Sequence, residues 1–161
     1  RIGFVPEDRH RDAVISAWTL VENLALKEAG SVRGLMAWDA YRARAESCVR
    51  SQDVRATGVD DSMAALSGGN QQKFVLAREL EGAPAALIVE NPARGLDIRA
   101  AAQVLAALRA ARDAGVAVVM HSSDLDELFS VSDRMIVCFD GTVRDVALDR
   151  QAVGRAMVGL T

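Results

Sequence analysis

The stretch Leu66-Ser67-Gly68-Gly69-Asn70-Gln71-Gln72-Lys73 decides how this chain is read. Ser67 is a residue type that opens helices, and the pattern after it predicts a helix from about Asn70 to Glu81, closed by Gly82 and Pro84. Two glycines at a helix start leave backbone N–H groups unshielded by side chains. The free amides and the helix dipole then point the same way, which suits an anion such as a phosphate. Taken alone, the turn reads as an ordinary capped helix after a loop. Its surroundings decide between the two readings.

Downstream, Ala85 to Val89 is a short apolar run of the buried-strand kind and leads into Glu90-Asn91-Pro92-Ala93-Arg94-Gly95-Leu96-Asp97. Ile98 to Asp113 sets Ala101, Val104, Leu105 and Leu108 on one helical face, with Gly115 after it. Val116 to Met120 is a second buried strand, Asp124 to Ser130 a short helix, and Met135 to Phe139 a third strand. Asp140-Gly141 signals a hairpin to Thr142–Val146, and Asp149 to Val158 a closing helix. Upstream, Ile2 to Val5 reads as a strand stopped by Pro6, and residues 18 to 57 are mostly helical in character. Strands alternating with helices predict an α/β fold: a parallel sheet covered by helices.

Composition narrows the function. Nineteen Lys and Arg against 22 Asp and Glu leave a net charge of −3, which argues against non-specific nucleic-acid binding. Half the residues are apolar, enough for a core. Two cysteines, Cys48 and Cys138, make no disulfide scaffold and suit a reducing compartment. Apolar runs such as Val116 to Met120 fall far short of the ~18–20 residues that span a bilayer. The chain opens on Arg1 inside what reads as a strand, as expected of a piece of a longer protein.

The order of these motifs resembles the nucleotide-binding cassette of ABC transporters, where a Leu-Ser-Gly-Gly signature precedes a strand ending in two acidic residues, a Pro and a Gly-Leu-Asp loop. Ile2 to Arg9 and Val21-Glu22-Asn23-Leu24 look like the second cassette of bacterial simple-sugar and nucleoside importers. Ser122 to Leu128 and the ending Val153 to Gly159 fit the same branch. The resemblance covers essentially the whole chain. It implies the C-terminal part of such a cassette: 1–7 as the end of a core strand with the Q-loop, 8–66 as a helical subdomain, and 67–161 as the rest of the α/β core. It also implies ATP and Mg2+ as ligands, and a second cassette and transmembrane permease subunits as partners. No nucleic-acid partner is implied. The expected location is peripheral, on the cytoplasmic face of the inner membrane.

The resemblance also assigns residues. Ser67, Gly68, Gly69 and Asn70 would grip the γ-phosphate held by the partner cassette. Glu90 stands where the family holds magnesium through water with an Asp, and the extra methylene is expected to weaken that site. Asn91 stands at the catalytic glutamate. An amide hydrogen-bonds water but does not take its proton, so slow or absent hydrolysis is expected there. Ser123 matches the switch-histidine position, with His121 on the same strand face. Glu7 replaces the Q-loop glutamine, and Asp97 matches the D-loop aspartate while also suiting a helix N-cap. The plainer reading of Glu90 and Asn91 is a polar strand end.

The P-loop, Gly-x-x-x-x-Gly-Lys-Ser/Thr, needs a lysine after a glycine. The two lysines, Lys27 and Lys73, follow Leu26 and Gln72, so the fold is expected to lack the P-loop strand and helix and this chain alone to be inactive. The competing reading is a non-catalytic interaction or regulatory fragment that keeps the cassette fold without binding ATP. A chromosome-structure ATPase sharing the signature would need a long coiled coil, and residues 8 to 66 carry no sustained heptads. Elsewhere, the arginines at 42, 44, 50 and 55 read as a solvated face, Asp60-Asp61 as loop, Trp18 and Trp38 as packing anchors, and Met63 as core.

Overall fold

The computed structural model describes residues 1–160. The chain divides into two compact units, one of Arg1–Ser123 and one beginning at Asp124. In the first unit, β1 (Ile2–Val5), β2 (Ala86–Glu90) and β3 (Ala117–His121) form a parallel sheet in the order β1-β2-β3. Val5 pairs with Val89, and Val89 with Met120. Side chains alternate across a strand, so Gly3, Val5, Leu87 and Val89 share one buried face.

Two helices cover that face. α4 (Gly68–Leu80) contributes Phe74, Val75 and Leu76, and α5 (Ile98–Asp113) contributes Val104 and Leu108, all buried. Gly3 lets α4 lie close on β1: a Cβ there would stand 3.0 Å from the Glu79 carbonyl oxygen. The opposite face is open. Phe4, Ile88 and Val119, one row across the three strands, are 45%, 39% and 53% exposed. The expectation of a covered sheet therefore holds on one side only, because α4 and α5 both pack against the same face.

Between β1 and the Ser-Gly-Gly turn lie α1 (Arg9–Asp12), α2 (Leu20–Ala25) and α3 (Trp38–Ser51). α2 starts on a reciprocal cap: the Glu22 N–H donates to the Thr19 hydroxyl, and the Thr19 N–H donates to the Glu22 carboxylate. That bonding holds the Glu22 carboxyl below its ordinary range. Asn23, fully buried, donates to the carbonyls of Ile15, Trp18 and Thr19 and accepts from the Ile15 N–H, so one side chain organises the turn into α2. Tyr41, Ala45 and Cys48 form the buried stripe of α3. Burial pushes the Cys48 thiol up to about 11, which leaves it inert.

Three side-chain expectations fail here. Arg44 is half-buried rather than on a solvated face: it donates to Glu28 and Glu81, and those bonds raise its pKa while holding the Glu28 carboxyl down. Trp18 and Trp38 are 41% and 47% exposed, so they pack at the surface rather than within the core, Trp38 with its ring against Tyr41. Met63 is fully buried as expected. Further along, Glu79 on α4 accepts from the Phe4 N–H, Lys27 and Arg78, and Arg78 donates to the carbonyls of Ala13 and Asn23. A buried charged pair thus ties α4 to β1 and α2.

The second unit holds α6 (Leu125–Val131), the antiparallel hairpin of β4 (Met135–Phe139) and β5 (Thr142–Val146), and α7 (Arg150–Met157). Asp140 and Gly141 turn the hairpin with φ of 45° and 72°. Met135, Val137, Val153 and Ala156 form its core. Most strand and helix bounds fall within a residue or two of those the sequence predicts. Among the described residues no helix is long and apolar enough to cross a membrane.

Candidate functional site

The start of α4 is built to stay open. Ser67 holds the N-cap position with extended backbone, yet its side chain makes no capping bond. Its hydroxyl instead accepts from Asn70 Nδ2 at 2.9 Å, and Asn70 Oδ1 accepts from the Arg55 N–H at 2.9 Å. The expectation that Ser67 caps the helix is therefore right in position and wrong in bonding, because Asn70 takes the hydroxyl. The first N–H of the helix to find a carbonyl is that of Gln71, which donates to Ser67 O. Among the described residues no acceptor serves the N–H groups of Gly68, Gly69 or Asn70. Ser67 is exposed and the next three residues are half-buried, so the amides can be reached from outside.

The two glycines have different neighbours. A Cβ on Gly69 would stand 2.8 Å from Ala100 Cβ, in the first turn of α5. That turn is fixed by Asp97, whose carboxylate accepts from the Ala100 N–H at 2.8 Å. Gly69 thus lets the Asp97 loop pack against the Ser-Gly-Gly turn. A Cβ on Gly68 would stand 2.8 Å from an Arg9 guanidinium nitrogen. Arg9 also donates from Nε to Gln71 Oε1 at 3.1 Å, and Gln71 in turn donates to the carbonyls of Met63 and Leu66. Desolvation lowers the Arg9 pKa, with Asp8 acting against it. The Arg9–Gln71 brace, 62 residues apart in sequence, was not visible in any motif.

The ends of β1, β2 and β3 gather the other expected residues. Asn91 is 7% exposed, with φ of 42°. Its Nδ2 donates to Glu7 Oε2 at 3.0 Å, and its Oδ1 accepts from the Ser123 N–H at 2.7 Å. The other Glu7 oxygen pairs with Arg94. Glu90 pairs in register with His121, and the Asn91 N–H donates to the His121 carbonyl at 2.7 Å. A cleft of about 500 Å3 opens here, lined by Glu7, Arg9, His10, Glu90 and Arg94 among others. No three acidic, His or Cys side chains cluster as a metal site among the described residues. Glu7, Glu90, Asn91 and Ser123 are thus brought together. Ser67 to Asn70 form a separate outward turn that shares only the Arg9 contact with the loop after β1.

A fold of this kind, with these motifs in this order, defines an ABC-type ATP-binding cassette, and over the stretch it spans the chain belongs to that family. Its relatives are ATP-binding proteins of nucleoside and sugar import. It is 40% identical, over 98% of its own length and 33% of the relative's, to the nucleoside import ATP-binding protein NupA of Lactococcus lactis subsp. cremoris. It is 33% identical, over 88% of its length and 28% of the relative's, to a ribose import ATP-binding protein, RbsA 1, of Rhizobium johnstonii. Among solved structures, it matches an ATP-binding cassette dimer in a post-hydrolysis state bound to ADP and Pi, with a TM-score of 0.73 and 26% identity. That match covers 92% of this chain and 63% of the other. The chain spans about a third of the length of the curated relatives it matches. No protein-family profile matches it.

Proposed function

We propose that this chain is part of an ATP-binding cassette that energises import of a simple sugar or nucleoside, and that it lends its Ser67–Asn70 turn to ATP held by a second cassette. The observation that carries this reading is the set of three unserved amides at the start of α4, with the N-cap hydroxyl drawn away by Asn70. A triphosphate presented by another polypeptide supplies the acceptors the helix lacks, and the oriented amides stabilise its charge without rearranging. Residues 8–66 form the helical subdomain that meets the permease, and 67–161 belong to the catalytic core. The assembly then sits at the cytoplasmic face of the membrane through the permease.

The pair is asymmetric in this proposal. The composite site that uses Ser67–Asn70 and the partner's catalytic residues hydrolyses ATP. The site at Glu90 and Asn91 binds weakly and turns over slowly, because residue 91 is an amide. Magnesium fits a minor role for the chain's own residues. Glu90 lines the cleft without a basic partner among the described residues, and no cluster of three ligands exists there. Glu90 would hold the ion through water, and the ion would supply charge neutralisation on the phosphates.

Ser67→Asp in the assembled importer tests this. Aspartate caps helices as well as serine, so the fold is retained or stabilised. Its carboxylate faces the incoming phosphate, and ATP turnover is expected to fall at least about 100-fold, the scale of losing one preorganised donor. Unchanged turnover in a normally folded Ser67→Asp variant would refute the reading.

A further inference from the structure

Asn91 does not simply stand where an acid is missing. Both ends of its amide are in use, joining the loop after β1, through Glu7, to the end of β3, through Ser123. The backbone N–H of Ser123 can only donate, which fixes Oδ1 toward it and turns Nδ2 toward Glu7. Asn91 also sits in left-handed backbone, a conformation asparagine adopts far more readily than glutamate. Glu7 is acceptor-only when ionised, and its two oxygens are served by Asn91 and Arg94.

We propose that Asn91 is the positioning residue that pins the Glu7 loop to the ends of β2 and β3. The proposal rests on the cassette reading for its functional meaning and on the Glu7–Asn91–Ser123 geometry for its substance. A carboxylate at position 91 would confront Glu7 across about the same 3.0 Å that now separates a donor from its acceptor. Restoring an acid at 91 alone therefore breaks the pin. Changing Glu7 to its amide in the same molecule rebuilds it with donor and acceptor reversed.

Asn91→Asp is the discriminating variant, because it is isosteric, tolerates the left-handed backbone and keeps the acceptor for Ser123. It turns the donor toward Glu7 into a charged acceptor. In the protein as expressed from its own gene, Asn91→Asp is expected to lower Tm by about 4 °C or more at pH 8. Adding Glu7→Gln is expected to recover most of that loss.

Amide hydrogen exchange at Ser123 adds a direct reading: protection is kept in Asn91→Asp and lost in Asn91→Ala. An Asn91→Asp variant as stable as wild type at pH 8, or one that Glu7→Gln fails to rescue, would overturn the pin. The Ser67→Asp turnover measurement decides the cassette reading separately, so its failure and the failure of the stability cycle are distinguishable.

Discussion

The start of α4 and the ends of the three strands are both backbone edges rich in polar groups, and they treat those groups in opposite ways. At Ser67–Asn70 the local side chains bond one another and leave three amides without acceptors. At the strand ends the polar atoms of Glu7 and Asn91 are matched by groups from distant segments, Ser123 with its backbone N–H among them. The first edge leaves its amides to solvent or to an acceptor from outside, which in the proposal above is a phosphate. The second is complete within its own unit. One is therefore read as an interface, and the other as a lock that keeps the loop after β1 against the sheet.

The glycines of the open turn sharpen this contrast. Gly69→Ala drives a methyl against Ala100, whose own Cβ is fixed to the backbone of α5, and a loss of about 1–3 kcal/mol in stability is expected. Gly68→Ala meets only the tip of Arg9, a long side chain able to swing aside, and should leave stability nearly unchanged. Chemical denaturation of the two variants checks it. Equal losses would mean that Gly68 also packs against something rigid, and the turn would then be less open than described.

Much of the scaffold was legible because it is local. Apolar runs bounded by turn residues mark β2, β3 and β4, and the period of Val104 and Leu108 marks α5; β3, expected as a buried strand, lies at the sheet edge with no fully buried residue. The polar detail was not legible, because it is made by residues far apart in sequence. Glu7 and Asn91 are 84 positions apart, and Arg9 and Gln71 are 62. Each was readable as a motif letter, but nothing in either stretch announced that the two would bond. Ser67 failed in the reverse direction. Its N-cap position follows from residue type, but which partner takes the hydroxyl depends on Asn70, whose side-chain bond to Ser67 no residue type announces. Trp18 and Trp38 were expected to be packed on hydrophobicity alone, and their exposure follows from Tyr41, Cys48 and Met63 filling the core of the helical segment instead.

The smallest effect concerns how much of the lock is charge and how much is placement. Arg94 pairs with Glu7 while 69% of its side chain stays in solvent. Water and salt screen such a pair, so Arg94→Ala is expected to cost at most about 1 kcal/mol, falling toward zero in high salt. Asn91 is buried, so Glu7→Ala takes the acceptor from a buried amide donor and is expected to cost about 1–3 kcal/mol, with little dependence on ionic strength. Urea titrations of both variants at low and high salt separate the two. If Arg94→Ala proves the more damaging, the guanidinium holds the Glu7 loop in place, and Asn91 is no more than a neighbour on the other oxygen of the same carboxylate.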